Sequence, residues 1–344
     1  MVGALVVRDG EVIGEGFHAE LGGVHAEVAA LADCRARGGD PAGATMYVSL
    51  EPCAHQGRQP PCTDAILAAE ISRVVIAADD PSEKAGGRGP GILRDDGIDV
   101  ELADGDEATA ARLANQAFRK HARTARPLVI LKSALSLDGF TATAEGDSEW
   151  ISGAASRALV HRWRAETDAV AVGISTALAD DPLLTAREVA DAEPRQPLRV
   201  VFDSSARLPL DSRLASGARE VGVLVVAGAE APPESVVALR DAGVEVLAAS
   251  GGRAERLRAA LDELGRRRVT SLMVEGGARL AGAFLDAGEV DELRLFYAPL
   301  LLGAGRPLAE REGAGLIADG ERPLAVTWEP SGGEMLVRAR LREW

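Results

Sequence analysis

Three side chains able to hold one metal ion occupy short motifs near the start of this chain: His25-Ala26-Glu27, Pro52-Cys53 and Pro61-Cys62. For them to share an ion, the fold must bring two helix starts and a strand end to one point. One imidazole and two thiolates fill three corners of a tetrahedron and leave the fourth for water, the pattern of a catalytic zinc. The two thiolate charges cancel that of the ion. Glu27 then lies beside the metal without being needed as a ligand, free to move protons to and from bound water. A structural zinc would need a fourth protein ligand. The spare thiol, Cys34, falls inside the helical run Ala26–Arg37, where it reads as a small apolar core residue.

The chain has 344 residues, enough for two domains that each bury a core. Apolar residues at 47% with frequent Gly and Pro fit a soluble α/β protein. No run approaches the roughly 18 uncharged apolar residues of a membrane span, and no basic stretch leads into an apolar block as in a secretory peptide. Three cysteines, two of them assigned to metal, exclude a disulfide framework and point to a reducing cytoplasm. A net charge of -15 argues against nucleic acid, whose binders concentrate positive charge on the contact surface.

Apolar runs Gly3–Arg8 and Glu11–Phe17 around Asp9-Gly10 predict a hairpin. Gly22-Gly23 delivers His25 to a helix ending near Gly38-Gly39. Thr45–Leu50 reads as a buried strand with Glu51-Pro52-Cys53 at its C-terminal end, where ligands gather in α/β sheets. Cys62 opens a helix through Glu70, whose free N–H groups favour a thiolate. A strand at Arg73–Ala78 and a helix–strand–helix stretch finish this domain near His121. The polar segment His121–Pro127 is a linker candidate, giving domains 1–122 and 127–344.

The second domain alternates strands (Leu128–Ser133, Ala169–Gly173, Leu198–Phe202, Val221–Ala227, Val244–Ala248, Val269–Val274, Glu292–Ala298) with helices (Ala154–Ala165, Glu234–Ala242, Ala254–Arg266, Ala278–Ala287). A terminal hairpin, Leu324–Glu329 with Glu334–Leu341, closes it. Neither a dinucleotide fingerprint nor a P-loop is present. The stretch Glu275-Gly276-Gly277 through Gly282-Ala283 follows a buried strand and admits two readings. It is either a phosphate site at a helix N-terminus or a tight turn with a close-packing Gly282. Lys132 through Gly139 and Ala179-Asp180-Asp181-Pro182 are dense in polar groups and read equally as turns.

Zinc-dependent base deaminases use the same arrangement of H-x-E, a Pro-Cys pair and a second Cys. Here eight residues separate the cysteines, in Glu51-Pro52-Cys53-Ala54-His55-Gln56-Gly57-Arg58-Gln59-Pro60-Pro61-Cys62, against two in nucleic-acid deaminases. With Lys132, Ser136-Leu137-Asp138-Gly139, Ser148-Glu149-Trp150-Ile151, Leu178 through Pro182 and Val274 through Gly277, the chain resembles the bifunctional riboflavin-biosynthesis deaminase-reductase family over nearly its whole length. The resemblance implies a cytidine-deaminase-like three-layer α/β domain followed by a dihydrofolate-reductase-like α/β domain. It implies zinc in the first, NADPH in the second, a phosphoribosylaminopyrimidine substrate, and a homo-oligomer (dimer or tetramer).

Carried over residue by residue, NADPH contacts fall on Ala134, Trp150, Thr176, Asp180, Ser204 and the turn Gly277, Ala278, Arg279, Leu280, Ala281, Gly282 and Ala283. Substrate contacts fall on Ser148, Arg164, Leu184, Arg187 and Glu275. In the first domain His55 and Arg58 read either as holding the substrate's polar edge or phosphate or as loop hydrogen-bonders. Catalytic roles are expected for Glu27, Lys132 and Glu275; Lys132 reads equally as half of a structural ion pair. Trp163 reads as core. Two family features are not matched: an opening helix with an Asn-Pro-x-Val-Gly segment, and Asp-Pro-Asn, where this chain has Asp80-Pro81-Ser82. The competing expectation is therefore a monofunctional reductase whose first domain holds zinc structurally.

Overall fold

Alternating apolar side chains and an Asp9-Gly10 turn, with both turn residues at positive φ, pair Gly3–Arg8 (β1) with Glu11–Phe17 (β2). This computed structural model describes residues 2–20, 22–189 and 194–344. It divides into two compact units, 1–124 with 343–344, and 125–342.

In the first unit, Ala26–Ala36 (α1), Thr45–Val48 (β3), Cys62–Ala68 (α2), Arg73–Ile76 (β4), Arg88–Asp95 (α3), Asp99–Leu102 (β5), Gly105–Ala114 (α4) and Gln116–Thr124 (α5) follow the hairpin. The sheet order is β2-β1-β3-β4-β5, antiparallel through β3 and parallel beyond. Its buried face meets Ala26, Ala30, Leu31 and Cys34 of α1, Ile66 of α2 and Leu93 of α3. Cys34 is a core residue, as its place in a helix suggested. Glycine explains why α1 lies so close to β2. A Cβ added to Gly14 or Gly16 would come within 2.5 or 2.3 Å of the Ala30 backbone, so no other residue fits. This contact fixes α1 and with it the position of His25. On the other face Leu5, Tyr47 and Val75 line a concavity of about 840 Å³.

The second unit runs Leu128–Ser136 (β6), Phe140–Ala142 (β7), Ala154–Glu166 (α6), Ala169–Gly173 (β8), Ile174–Asp180 (α7), Leu198–Phe202 (β9), Arg213–Ser216 (α8), Val223–Gly228 (β10), Pro233–Asp241 (α9), Glu245–Ala249 (β11), Arg253–Arg266 (α10), Ser271–Glu275 (β12), Ala278–Asp286 (α11), Glu292–Ala298 (β13), Arg306–Pro307 (β14), Ala325–Ser331 (β15) and Glu334–Arg340 (β16). The main sheet has the order β11-β10-β9-β8-β12-β6-β13-β16-β15. Strands β6 and β8 to β13 are parallel, and the terminal hairpin joins antiparallel. Near-continuous burial of β8, β10 and β12 fits a parallel sheet covered on both faces. Leu257, Leu261 and Leu264 of α10 and Phe284 of α11 fill its core. Trp163 is core, stacked on Phe296 at 5.4 Å.

Three local expectations need correction. His121–Thr124 is helical rather than linker, because α5 buries Arg119 and Lys120 and so gains a packed face from polar side chains. Ala179-Asp180 ends helix α7 rather than forming a turn, since Ala177 and Ile174 bury one face of it. β6 continues to Ser136 because β13 pairs with it along its whole second half.

Candidate active sites

In the first unit, His25 stands in extended conformation as the N-cap of α1, Cys62 opens α2, and Cys53 follows β3. His25 Nδ1 lies 3.1 Å from Cys62 Sγ and 3.5 Å from Cys53 Sγ. All three ligand atoms fall within 4.8 Å of one another. Zn–N and Zn–S bonds of standard length at a tetrahedral angle set N and S about 3.6 Å apart, so this donor set fits zinc. The Cys62 N–H donates to Cys53 Sγ at 3.3 Å, using a free helix N-terminal donor on a thiolate. The Cys62 thiol, donating to Cys53, pulls that group down to about 5. Cys62 is pushed up by the same contact and by burial. Glu27, in the first turn of α1, is 3% exposed. Burial raises its pKa, although its own backbone N–H and Cys62 oppose the shift.

The loop between the cysteines completes the rim. His55 Nδ1 is buried without a hydrogen-bond partner. The Arg58 guanidinium lies over Gly22, where an added Cβ would meet it at 2.6 Å, and Gln59 donates to the Gly22 carbonyl at 3.2 Å. Sequence reasoning missed two neighbours. The His18 ring meets that of His25 edge-on at 5.4 Å, and Glu51 is buried with Oε1 unpaired. A histidine seven residues before a ligand was the available signal for the first.

In the second unit, register places Glu275 of β12 directly opposite Lys132 of β6. Arg164, in the last turn of α6, grips the Glu275 carboxylate with both arms, Nε to Oε1 at 2.6 Å and Nη2 to Oε2 at 2.9 Å. Lys132 Nζ stands 3.9 Å from the same carboxylate. Burial alone would raise Glu275, yet Arg164 and then Lys132 outweigh it and hold the carboxyl below its usual range. Burial draws the Lys132 ammonium down, opposed by Glu275. Arg164 Nη1 donates to the Thr185 carbonyl, and His161 Nδ1 lies 3.1 Å from that carbonyl and 3.3 Å from the Arg187 nitrogen, bonding one or the other according to its tautomer. Arg164, Arg187, Lys132 and Glu275 therefore share one neighbourhood with buried Leu184. Ala134 lies two residues along β6 from Lys132, on the same face.

A second cluster surrounds the glycine turn. Gly276 and Gly277 have φ of 90° and 87°, open only to glycine, and a Cβ on Gly277 would lie 3.1 Å from Thr176 Oγ1. The structure thus joins Thr176 to the N-terminal end of α11. The rest of the turn divides. Leu280, Ala281 and Ala283 point into the core, Gly282 lets Glu310 pack at 2.1 Å from where a Cβ would be, and Arg279 is exposed and paired with Glu310. What remains open to a ligand is backbone near Gly277 and Ala278. Asp180 is raised by burial and by Glu149. Ser148 lies in the loop before Trp150, which is exposed with Arg157 at 4.6 Å from its ring. The Ser204 carbonyl accepts from Gly228.

Residues 1–78 match the cytidine and deoxycytidylate deaminase zinc-binding region, and residues 127–318 match the RibD C-terminal domain. The chain is accordingly a bifunctional enzyme, a zinc-dependent deaminase joined to an NADPH-dependent reductase. Riboflavin biosynthesis protein RibD of Escherichia coli (strain K12) is 40% identical over 330 residues, covering 92% of this chain and 87% of the relative. That of Aquifex aeolicus is 39% identical, covering 90% and 83%. RibD of Acinetobacter baumannii superposes with a TM-score of 0.82 at 36% identity, covering 99% of this chain and 92% of that one. A diaminohydroxyphosphoribosylaminopyrimidine deaminase/5-amino-6-(5-phosphoribosylamino)uracil reductase of Thermotoga maritima gives 0.81 at 35% identity, with the same coverages. The chain belongs to the RibD family of riboflavin biosynthesis. It acts on a pyrimidine, and no helix among the described residues is long and apolar enough to cross a membrane.

Proposed function

We propose that the first unit removes the 2-amino group of 2,5-diamino-6-(phosphoribosylamino)pyrimidin-4-one and that the second reduces the ribosyl group of the product to ribityl. The observation that carries this is the convergence of His25, Cys53 and Cys62 beside buried Glu27. Zinc, when bound, activates a water for attack, and NADPH supplies hydride. Glu27 takes the proton released as water adds to C2 and returns it to the departing ammonia, with bulk water excluded by burial. His55 and Arg58 hold the polar edge or phosphate of the substrate, which the unpaired His55 Nδ1 supports.

In the second unit, Lys132 and Glu275 orient the open-chain sugar imine, and Lys132 donates the proton that balances hydride addition at C1′. Arg164 keeps Glu275 ionised, and exposed Arg187 meets the phosphate, with Ser148 and Leu184 completing that pocket. Ala134, Trp150, Thr176, Asp180, Ser204 and the open backbone at Gly277 and Ala278 bound the NADPH site. The domain boundary falls between α5 and β6. A homo-oligomer in the cytoplasm is the assembly we favour, supported by exposed Leu316, Ile317, Leu324 and Trp328 around edge strand β15; sedimentation velocity tests it. For the reaction, zinc-loaded protein is given the diaminopyrimidine, first alone and then with NADPH. Ammonia release followed by stoichiometric NADPH oxidation is expected. NADPH oxidation only on supplied deaminated pyrimidine would return the assignment to a monofunctional reductase.

A further inference from the structure

The loop after β4 is held from two sides. On one side, the Glu51 N–H donates to the Ala78 carbonyl at 2.9 Å, and the Asp80 N–H reaches Glu51 Oε2 at 3.4 Å. Glu51 directly precedes Pro52-Cys53, so this side of the loop rests on the segment that carries a metal ligand. On the other side, Arg119 of α5 donates from Nη2 to Asp79 Oδ1 at 2.8 Å and from Nη1 to the Asp79 carbonyl, and Arg123 lies 3.6 Å from the same carboxylate. The Arg119 side chain is 1% exposed. Its Nε faces away from Asp79 and donates to the Trp344 carbonyl.

Glu343 and Trp344 are themselves seated on α4 and α5. The Trp344 N–H donates to Gln116 Oε1 at 3.0 Å, Arg112 Nε donates to Glu343 Oε1 at 2.7 Å, and the Lys120 ammonium lies 5.3 Å from the centre of the Trp344 ring. A buried guanidinium keeps a fixed fork of five donors, and leaving one unpaired costs more than a surface hydrogen bond returns. The carbonyl at position 344 therefore decides how Arg119 is aimed.

We propose that Glu343 and Trp344 clasp Arg119, making it a positioning residue for the Asp79–Ser82 rim of the deaminase pocket. This rests on the deaminase reading above and extends it to residues outside the zinc motif. The ends of parallel neighbours β3 and β4 lie side by side where an α/β sheet binds ligand, so a displaced Asp80 moves the pocket wall while the three metal ligands stay in place. The order of effects runs from Trp344 through Arg119 and Asp79 to Asp80, and stops short of Cys53.

The test uses the full chain, zinc-loaded, as wild type, with Trp344 deleted, as Trp344→Ala and as Trp344→Phe. Ammonia-release kcat and KM, zinc content and the reductase constants are measured together. Deletion is expected to raise the deaminase KM about tenfold, the worth of one charge-assisted hydrogen bond, and Trp344→Ala, which keeps the carbonyl but loses the ring that seats it beside Lys120, to raise it by less, with kcat, zinc content and reductase constants unchanged. Trp344→Phe, which keeps backbone and ring, should restore KM. An unchanged KM, or a loss of zinc and kcat alongside KM, overturns the inference. Wild type that releases no ammonia overturns the deaminase reading itself, a result distinguishable because it appears before any variant is made.

Discussion

Replacing Arg164 with Met leaves the Glu275 carboxylate buried without the two hydrogen bonds of 2.6 and 2.9 Å that Arg164 supplies. Breaking one partner out of a buried ion pair costs about 3–5 kcal/mol. Lys132 remains 3.9 Å away and favours the lower end, about 3 kcal/mol. A unit of this size loses roughly 2–4 °C per kcal/mol, so its melting transition should fall by about 6–12 °C at neutral pH. The pH dependence carries a sign. In wild type the folded pKa of Glu275 is depressed, so its stabilisation is present above the unfolded value of about 4.3 and is lost as pH falls through the lower folded one. In the variant burial dominates and the folded pKa rises. The variant therefore loses stability as pH climbs above about 4.3, and its gap from wild type should widen between pH 5 and pH 8. Melting followed by circular dichroism at both pH values measures this. A gap of equal size at both, or an Arg164→Met/Glu275→Gln double variant no more stable than Arg164→Met, would refute the buried-carboxylate reasoning.

Glu27→Gln should retain one zinc by metal analysis while ammonia release falls about a hundred- to ten-thousandfold, the range for a lost general acid–base; a variant that still deaminates well removes Glu27 from that role. Gly277→Ala forces a side chain into φ of 87° and against Thr176 Oγ1, a strain of about 1–3 kcal/mol. Its NADPH KM should rise with ammonia release intact, and an unchanged KM would put the cofactor elsewhere. Because burial lowers Lys132, reductase activity that needs the ammonium should fail on the alkaline side below the ordinary lysine pKa. The residual activity of Lys132→Met should show no such limb in a pH–rate profile, and a limb that persists belongs to another group.

The zinc site was legible in the sequence because each ligand is placed by local structure: a helix N-cap, a strand end and a second helix start, each announced by its own motif. The reductase cluster was not legible from residues alone. Lys132, Arg164 and Glu275 come from β6, α6 and β12, and only parallel register sets them face to face, so the resemblance had to supply them. At the glycine turn Gly282 is close packing, while Gly277 stands at the helix end where the other reading expects a phosphate. Strands β7 and β14 were invisible because elements of three and two residues carry no period. Only the last turn of α5 reads as linker, because polar composition conceals a helix whose buried face is made of Gln116, Arg119 and Lys120.

The most direct measurement is the crystal structure of metal-replete protein with data collected on both sides of the zinc absorption edge. One ion is expected, bound by His25 Nδ1 and the sulfurs of Cys53 and Cys62, with solvent at the fourth position. An empty pocket, or a fourth protein atom closing that position, would contradict a hydrolytic role for the first unit.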